Sequence, residues 1–420
     1  MILALAWKNI WRNKKRSLIV IISIMFGLLG GLFSGAVFMG MSESMVESAV
    51  NRDLGHIQIH KMNYDRDKLI KNYIPNSAQI LNELKQYDEI KAVSPRTLIY
   101  GMAASPASSY GVKINGIDPQ KAKQVTKIYE KIIEGDYFKS ERKNQIVIGQ
   151  KLAKRLNLKI RSKVILSFEG IQEDIKYLAC RVVGIYKTES AQFDETHVYV
   201  RQTDLYRSLA GETDEPLQTA QAWDFEKKPI YHEIAIRLKS PDLIPALDAK
   251  LKSKFSSLQV QTWEELVPGI VFVKTMFQQF TYLFVAIILF ALLFGITNTM
   301  LMSVMDRIRE LGMLIAIGMK KIKVFTMILL ETIFLSLTGG ILGIIVAAIT
   351  IHYFNINGFD LSGFSASLES FGSSAMLYPF LPAAMYIILT IMIIVSANFA
   401  AILPAWKAMH LQPSEAIRTY

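Results

Sequence analysis

Cysteine is nearly absent from this 420-residue chain: Cys180 is the only one, so no intrachain disulfide can form. A domain of roughly 230 residues can bury a sufficient core without such a cross-link. A lone cysteine also excludes the paired-cysteine spacings that hold structural zinc. The fold is therefore expected to be held by packing alone.

Motifs for nucleotide binding or catalysis are also missing. The sequence contains no G-x-x-x-x-G-K-[ST] phosphate loop, no H-E-x-x-H and no G-x-S-x-G. His56 and His60 are the only histidines close in sequence, at positions that share one face of a strand. A surface strand explains them better than a metal site whose other ligands cannot be named. We therefore expect no enzyme and no metal or cofactor held by this chain.

Charge is missing from four long stretches. They cover residues 17–41, 275–305, 324–354 (apart from Glu331) and 370–406. Each exceeds the roughly 20 residues that cross a hydrocarbon core of about 30 Å. The sequence therefore predicts four transmembrane helices.

Between the first two apolar stretches lies a polar region of ordinary composition. Alternation typical of strands occurs at 56–60, 109–117, 144–149, 163–168, 180–186, 197–200 and 233–238, and helical patterns at 77–87, 150–156, 203–210 and 242–255. Residues 211–229 read as a long loop. The predicted fold class is a membrane protein with four transmembrane α-helices and a large α+β extracytoplasmic domain between the first and second helices.

The full division of the chain follows from these patterns. We predict an interfacial amphipathic helix at 1–16, transmembrane helix 1 at 17–42, the α+β domain at 43–272, a stalk with transmembrane helix 2 at 273–305, a cytoplasmic segment at 306–323, transmembrane helix 3 at 324–354, an outer loop at 355–377, transmembrane helix 4 at 378–406 and a tail at 407–420. The second apolar stretch would be about 46 Å long as a helix, too long for the bilayer alone. Its N-terminal part is expected to form the stalk, beginning near Trp263.

Lysine and arginine collect in the short segments at one side. Residues 1–16 and 306–323 each carry five basic residues, whereas 355–377 has two acids and no base. By the positive-inside rule, both termini and 306–323 face the cytoplasm and the large domain faces outside. The net charge of +11 is then partly a topological bias. It does not indicate nucleic-acid binding.

Small residues line two of the apolar stretches. Gly27, Gly31 and Gly35 form a double G-x-x-x-G series, and Gly339 and Gly343 repeat the spacing. Such faces let helices approach closely. Glu331 is the one charge inside a span, and pairing with a nearby base explains it better than proton transfer.

The segment 306–323 is basic with an apolar middle. Ile308, Leu311 and Ile315 share a helical face, and Gly318 permits a turn. It fits a docking helix for a separate cytoplasmic engine. A plain positive-inside loop, or a membrane-anchored receptor whose helices only hold the outer domain, remains an alternative on residues alone.

Four motifs together resemble the FtsX/MacB superfamily of ABC-transporter permeases. They are LAWKNIWRNKKRSLI near the N-terminus, RELGMLIAIGMKKIKVFTMILLE (309–331), SLTGGILG (336–343) and PAWKAMHLQPSEAIR (404–418). GHIQIH (55–60), VKINGIDP (112–119), EGDYF (134–138), IVIGQKLAKRLNL (146–158) and VVGIYKTESAQFDETHVYV (182–200) are most similar to lipoprotein-releasing permeases of the LolC/LolE type. Arg161-Ser162 departs from the Gly-Asp usual there.

The resemblance implies a bacterial inner-membrane permease subunit that works by mechanotransmission. Its implied partners are a dimer of cytoplasmic ABC ATPase subunits, which would bind ATP and Mg²⁺, a second permease subunit (identical or not), a lipoprotein substrate and a periplasmic lipoprotein carrier. The implied ATPase contacts are Arg309, Glu310, Leu311, Ile315 and Gly318, and the implied acyl-chain contacts are Phe33, Val37, Met41, Phe280 and Phe284.

Two other members of the superfamily offer different functions. A MacB-like permease would drive efflux of peptides or small molecules through a partner channel. An FtsX-like protein would transmit a signal across the membrane.

Overall fold

The computed structural model describes residues 2–409 except 13, 65, 140–141 and 211–228. The chain divides into two compact units. One, here called the helical unit, comprises Met1–Glu43, Phe272–Leu361 and Met376–Tyr420; the other, the inserted domain, comprises Ser44–Val271 and Ser362–Ala375. The predicted loop at 211–229 lies outside the described residues up to position 228, and so does the tail after Met409.

Helices and strands have the following bounds. The helices are α1 (Ile2–Arg12), α2 (Lys14–Ala49), α3 (Ser77–Leu84), α4 (Pro119–Val125), α5 (Gln150–Arg155), α6 (Ala191–Thr196), α7 (Gln202–Ala210), α8 (Ile244–Lys254), α9 (Trp263–Leu266), α10 (Pro268–Asp306), α11 (Ile308–Ala316), α12 (Lys321–Asn357), α13 (Ser365–Phe371) and α14 (Ala383–Met409). The strands are β1 (Ile57–Lys61), β2 (Ile90–Ala104), β3 (Ser109–Ile117), β4 (Ile132–Gly135), β5 (Gln145–Gly149), β6 (Lys163–Glu169), β7 (Ile175–Tyr186), β8 (His197–Arg201), β9 (Glu233–Leu238), β10 (Leu258–Thr262), β11 (Phe359–Asp360) and β12 (Met376–Leu377).

Four of the described helices are long and apolar enough to cross a membrane: α2, α10, α12 and α14. With the large domain between the first two, they make the predicted fold class. α10 has 39 residues and α2 has 36, so at about 1.5 Å per residue both are much longer than a hydrocarbon core. α10 begins at Pro268, a favoured first helical position, rather than near Trp263. Trp263 instead starts the separate turn α9, which Thr262 and Glu265 cap reciprocally.

Six strands of the inserted domain form a closed barrel. β2 pairs with β3, β3 with β8, β8 with β5 and β5 with β7. β6 then pairs with both β7 and β2, which closes the ring. The inward side chains of these strands, such as Ile114, Ile148 and Leu166, make one continuous apolar core. Closure gives each of these six strands two neighbours within the ring.

A second, antiparallel layer continues from one end of β2. Its strand order is β10-β1-β9-β2, and α3 and α8 cover it with an apolar core of their own. Ile57, Leu84 and Leu251 are fully buried in that core. The inserted domain thus has two lobes that share the 15-residue strand β2.

The sequence patterns missed β2, the longest strand, because Pro95 stands inside it and proline is rare in sheets. Pro95 is opposite Ile234 of β9, while pairing with β3 begins only at Arg96. The proline therefore lies where a strand is present on one side only.

The prediction that His56 and His60 belong to a surface strand was wrong. They are 5 % and 3 % exposed, because β1 lies between β9 and β10 and is covered on both faces. The Leu238 amide donates to His56 Nδ1 at 3.0 Å, and His60 Nδ1 contacts the His232 carbonyl oxygen at 2.9 Å. Within the described residues, no group of three or more potential ligands is placed to hold a metal.

The segment between α12 and α14 is more ordered than the predicted loop at 355–377. β11 and β12 pair with each other, and α13 lies between them in sequence. Ser362–Ala375 clusters with the inserted domain, where Glu369 forms an ion pair of 2.9 Å with Lys187.

Candidate functional site

The short helix α11 connects two of the long helices through well-defined ends. Arg307, which precedes it, leaves the helical conformation with φ −107° and ψ 10°. After α11, Gly318 adopts φ +101°. The amide of Met319 donates to the Leu314 carbonyl and that of Gly318 to the Ile315 carbonyl, both at 3.0 Å. This pair of hydrogen bonds is the Schellman helix end, which favours glycine at the left-handed position.

Glu331 holds three separate elements together in the interior of the helical unit. It is 5 % exposed. Arg307 Nη1 donates to both of its carboxylate oxygens at 3.1 Å, and Asn9 Nδ2 of α1 donates to Oε1 at 2.7 Å. α1, the α10–α11 junction and α12 therefore meet at one buried carboxylate.

Further ion pairs surround this carboxylate. Glu310 pairs with Arg12 and, at 3.4 Å, with Arg307 Nε. Asp306 pairs with Arg16. The hydrogen bond from Arg12 holds the pKa of Glu310 below its usual range, against a smaller opposing effect of burial. We call Asn9, Arg12, Arg16, Asp306, Arg307, Glu310 and Glu331 the junction network.

The exposed face of α11 differs from the one predicted to contact an ATPase. Leu311 is 2 % exposed, whereas Ile315 is half-buried and packs against the helical core. Arg309 and Gly318 are exposed and Glu310 is half-buried in the junction network. The outward stripe consists of Arg309, Met313 (51 % exposed) and Ile317 (85 % exposed), spaced four residues apart.

A cavity of about 770 Å³ adjoins this stripe. It lies between α1, α11 and the start of α12, and its wall is largely apolar. It is lined by Leu3, Leu5, Leu314, Ile317, Gly318, Met319, Lys323, Thr326 and Leu330. An exposed isoleucine beside an apolar hollow is the arrangement of a protein contact surface.

The five residues predicted to contact an acyl chain do not form one group. Phe280 and Phe284 are 38 % and 44 % exposed, and both lie against Phe38, which also stacks on Phe277. Phe33 instead contacts Phe354 and Phe359. Val37 and Met41 are half-buried. The sequence pattern missed Phe38, the centre of the aromatic group.

The predicted packing glycines all lie on helix contacts inside the helical unit. A Cβ at Gly27 would be 2.5 Å from Leu292 Cδ1, one at Gly31 would be 3.9 Å from Ile288, and one at Gly35 would be 3.3 Å from Thr281. This face of α2 therefore packs on α10.

The other two glycines bring α12 against α2. A Cβ at Gly339 would be 3.0 Å from the Ile21 carbonyl oxygen, and one at Gly343 would be 2.8 Å from Leu28 Cβ. Here the neighbouring atom belongs to the backbone or is a Cβ atom, and neither can move aside as the end of a side chain can.

The far end of α2 enters a second buried charge cluster, which belongs to the inserted domain. After Ala49 the helix widens into a π-helical turn, Val50–Leu54. Arg96, 1 % exposed, donates to Asp53 Oδ1 at 3.0 Å and to Glu233 Oε1 at 2.7 Å. One buried guanidinium thus ties the helix terminus to β2 and β9.

Asn9, Arg307, Asp53 and Arg96 were not found from the sequence. The available signal was Glu331, a lone intramembrane charge that requires a partner. The 24 residues that separate it from Arg307 follow no helical spacing, so the partner's identity needs the tertiary structure.

Two sequence families match the chain. Residues 17–254 match the family described as MacB-like periplasmic core domain, and residues 282–413 match FtsX-like permease C-terminal. The first match alone covers more than half of the chain.

Individual relatives are similar over most of the chain. An uncharacterized ABC transporter permease of Methanocaldococcus jannaschii is 25 % identical over 360 residues, 82 % of each protein. The macrolide export ATP-binding/permease protein MacB of Escherichia coli K12 is 24 % identical over 406 residues, which is 91 % of this chain but 58 % of MacB. The periplasmic region of MacB from Actinobacillus actinomycetemcomitans superposes with a TM-score of 0.33 at 15 % identity, over 52 % of this chain and 94 % of that one.

Proposed function

We propose a role for this chain that follows from its family: it belongs to the FtsX-like permeases with a MacB-like periplasmic core domain and is thus an ABC transporter permease of the MacB/FtsX type. In this role, the chain transmits the motion of a cytoplasmic ATPase to its inserted domain. α11 would be the contact that receives the motion. By the charge distribution we place α11 and both termini in the cytoplasm. ATP and Mg²⁺ would be bound by a separate ATPase dimer.

The observation that carries this proposal is the junction network. A force applied to the outward stripe of α11 passes through Arg307 and Glu331 to α12, and through Asn9 and Arg12 to α1. Because buried, hydrogen-bonded charges resist separation in a medium of low dielectric, the three elements would move as one body. A flexible loop that merely obeyed the positive-inside rule would not require such a network.

The motion would leave the helical unit through α2 and α10, the two helices that contribute residues to both units. α2 ends at the Asp53–Arg96–Glu233 cluster. Displacement of α2 along its axis would therefore act directly on β2, the strand that both lobes share.

For the cargo we propose a lipoprotein taken from the outer leaflet of the inner membrane and passed to a periplasmic carrier, with a second permease subunit beside this one. The resemblance of residues 134–138, 146–158 and 182–200 to lipoprotein-releasing permeases supports it. The half-exposed aromatic group around Phe38 offers an apolar surface for an acyl chain.

Efflux of a peptide or small molecule is the second candidate. Its support is the 24 % identity with MacB along 91 % of this chain. MacB is named for both ATP binding and permease activity, and this chain spans 58 % of its length. Under either cargo the α11 contact would serve the same purpose.

Purification of the full chain from native membranes in mild detergent, followed by mass spectrometry, tests the proposal. A P-loop ATPase should be recovered, and Ile317→Asp should lose it without loss of folding, since Ile317 is 85 % exposed. Ile175→Asp, on the inserted domain and 68 % exposed, is the matched control. Failure of the native chain to retain an ATPase would favour a receptor instead. An acylated protein in the sample would support lipoprotein release, and its absence with drug-stimulated ATPase activity would favour efflux.

A further inference from the structure

One part of the inserted domain is far more basic than the rest. Residues 139–163 contain nine Lys/Arg and a single acid, Glu141. This net charge of +8 in 25 residues is most of the chain's +11. The domain therefore concentrates its positive charge around β5, α5 and the start of β6, rather than spreading it.

A cleft of about 970 Å³ lies within this basic region. Its floor is partly apolar, formed by Ile160, Val182 and Val183, and its rim is cationic. The basic residues that line it are Lys139, Arg142, Lys143, Arg161 and Arg181. Asp136 is the one acid among the described lining residues, and it lies 3.7 Å from Lys139. We call this feature the basic cleft.

Arg181, which lines the cleft, has a second cation as its cross-strand partner. Lys163 of β6 is paired in register with Arg181 of β7, and both are exposed. Opposed like charges on neighbouring strands are destabilising. Such a pair is stabilised when an external anion lies between the two cations.

Arg161, which lines the cleft, has an unfavourable backbone conformation. Its φ is +71°, a region that glycine adopts freely and that costs other residues about 1–2 kcal/mol. The turn is fixed, because the Arg161 amide donates to the Val182 carbonyl at 2.8 Å and the Lys159 amide donates to Ser162 Oγ at 3.0 Å. An arginine kept at such a position indicates a use for its side chain.

We propose that the basic cleft is the docking site for an acidic segment of a partner protein. The guanidinium groups of Arg161 and Arg181 suit carboxylates, which guanidinium groups bind in a bidentate manner. The cleft is much larger than a single phosphate group, and an apolar floor with a charged rim is the composition of a protein–protein contact. Lys151 and Lys154 of α5, the helix that follows β5, are further exposed cations of the basic stretch 139–163. This proposal is independent of the identity of the cargo.

The test uses the full chain in detergent and a fluorescein-labelled peptide of eight glutamates alternating with serine. A peptide with glutamine in place of glutamate is the negative probe. We expect the acidic peptide to bind, the glutamine peptide not to bind, and the affinity to fall as salt is raised from about 50 to 200 mM.

Arg161→Gly is the decisive variant, since glycine accepts φ +71° and the fold should be at least as stable. It should weaken binding about fivefold, the upper end for one partly exposed ion pair. Arg181→Gln should act similarly. Lys85→Gln, an exposed lysine at the end of α3 that bonds Asn82, should have no effect.

Equal losses in Arg161→Gly and Lys85→Gln would reveal non-specific attraction and overturn the proposal. Equal binding of the two peptides would do the same. A third arm adds phosphatidylglycerol to the micelles: if the lipid, and not the peptide, binds in a manner that depends on Arg161, the site is for a lipid headgroup and the proposal is wrong.

Discussion

At the scale of single residues, Glu331 is the most informative position in the helical unit. Its carboxylate forms an ion pair with Arg307, whose side chain is only 10 % exposed, and accepts a hydrogen bond from Asn9. Removing the charge would leave a buried guanidinium without its counter-ion, the costly half of a broken pair.

We therefore predict that Glu331→Gln lowers the free energy of unfolding by about 3 kcal/mol. Glu310→Gln, which removes a far more exposed carboxylate from the same network, should cost less than about 1 kcal/mol. Thermal unfolding in detergent would measure both. A loss in the Glu331→Gln variant no larger than that in Glu310→Gln would show that the buried pair is not what holds the junction. Adding Arg307→Met to Glu331→Gln should restore part of the stability.

Three histidines of the inserted domain are held in the neutral form: His56 and His232 are buried and His197 is half-buried. Burial lowers the pKa of His56 and of His232 to about 4 and that of His197 to about 3. The Leu98 amide donates to His232 Nδ1 at 3.2 Å, so that nitrogen cannot carry a proton. These groups are protonated in the unfolded chain at a pH where the folded domain excludes the proton.

The stability of the domain should therefore fall as pH decreases from about 6.5 towards 4, by up to about 1.4 kcal/mol per pH unit for each histidine. Burial raises the pKa of Asp194 to about 7, so this group makes the domain more stable as pH decreases. It is a single group, whereas three histidines have the opposite effect. Hydrogen exchange of β1 and β9 in the full chain at pH 5 and pH 7 would measure the change. Because intrinsic amide exchange is itself slower at lower pH, the comparison uses protection factors, and larger protection factors at pH 5 than at pH 7 would contradict the assignment.

At the scale of elements, the glycine faces set the distances between helices. α12 approaches α2 through positions where a methyl group would meet backbone, whereas α10 meets α2 largely through the ends of leucine and isoleucine side chains. The two contacts should therefore tolerate substitution differently.

Gly343→Ala should destabilise the helical unit by about 1–3 kcal/mol, because its Cβ would lie 2.8 Å from Leu28 Cβ and the core cannot absorb it without displacement. Gly31→Ala, with 3.9 Å to its nearest neighbour, should be neutral or slightly stabilising. Gly295→Ala, with no neighbour within 4 Å, is the control for helix propensity. Denaturation in mixed micelles compares the three, and equal effects would show that the α2–α12 contact has more room than the distances indicate.

The sequence predicted some elements well and others not at all, for physical reasons that differ. Long uncharged apolar runs are not stable when exposed to water, so the four spanning helices could be predicted from the sequence. β2 could not be predicted, because proline is rare in sheets and Pro95 is tolerated only where β2 has a neighbouring strand on one side. Which side of α11 is buried could not be predicted, because Leu311 and Ile317 are both apolar and only the packing of neighbouring helices decides which one faces inward.

At the scale of the whole molecule, α2 connects two charge clusters, each of which contains a buried ion pair. The first is the junction network, which α2 joins through Arg16, and the second is the Asp53–Arg96–Glu233 cluster. If the proposed transmission of motion is correct, the first is needed to receive force and the second to deliver it.

Damage to the two clusters should thus have separable effects. Asp53→Asn should keep the ATPase bound and hydrolysing ATP while release of cargo is lost, since the neutral side chain holds Arg96 weakly. Ile317→Asp should lose both hydrolysis in the complex and release. ATPase and release assays on the reconstituted complex would separate them. Full release by the Asp53→Asn variant would mean that α2 is not the route.

The order of strands in the inserted domain also governs how the protein can be made. β1 lies between β9 and β10, and Ile57 pairs with Ile236 and Thr262. The first strand of the domain to be synthesised therefore has no partner until the last two have been translated and delivered. During that interval its apolar residues are exposed, and contacts so distant in sequence form slowly. Biogenesis of this permease should thus depend on a holding chaperone on the side where the domain folds, and truncation before β9 should yield a chain that proteases degrade.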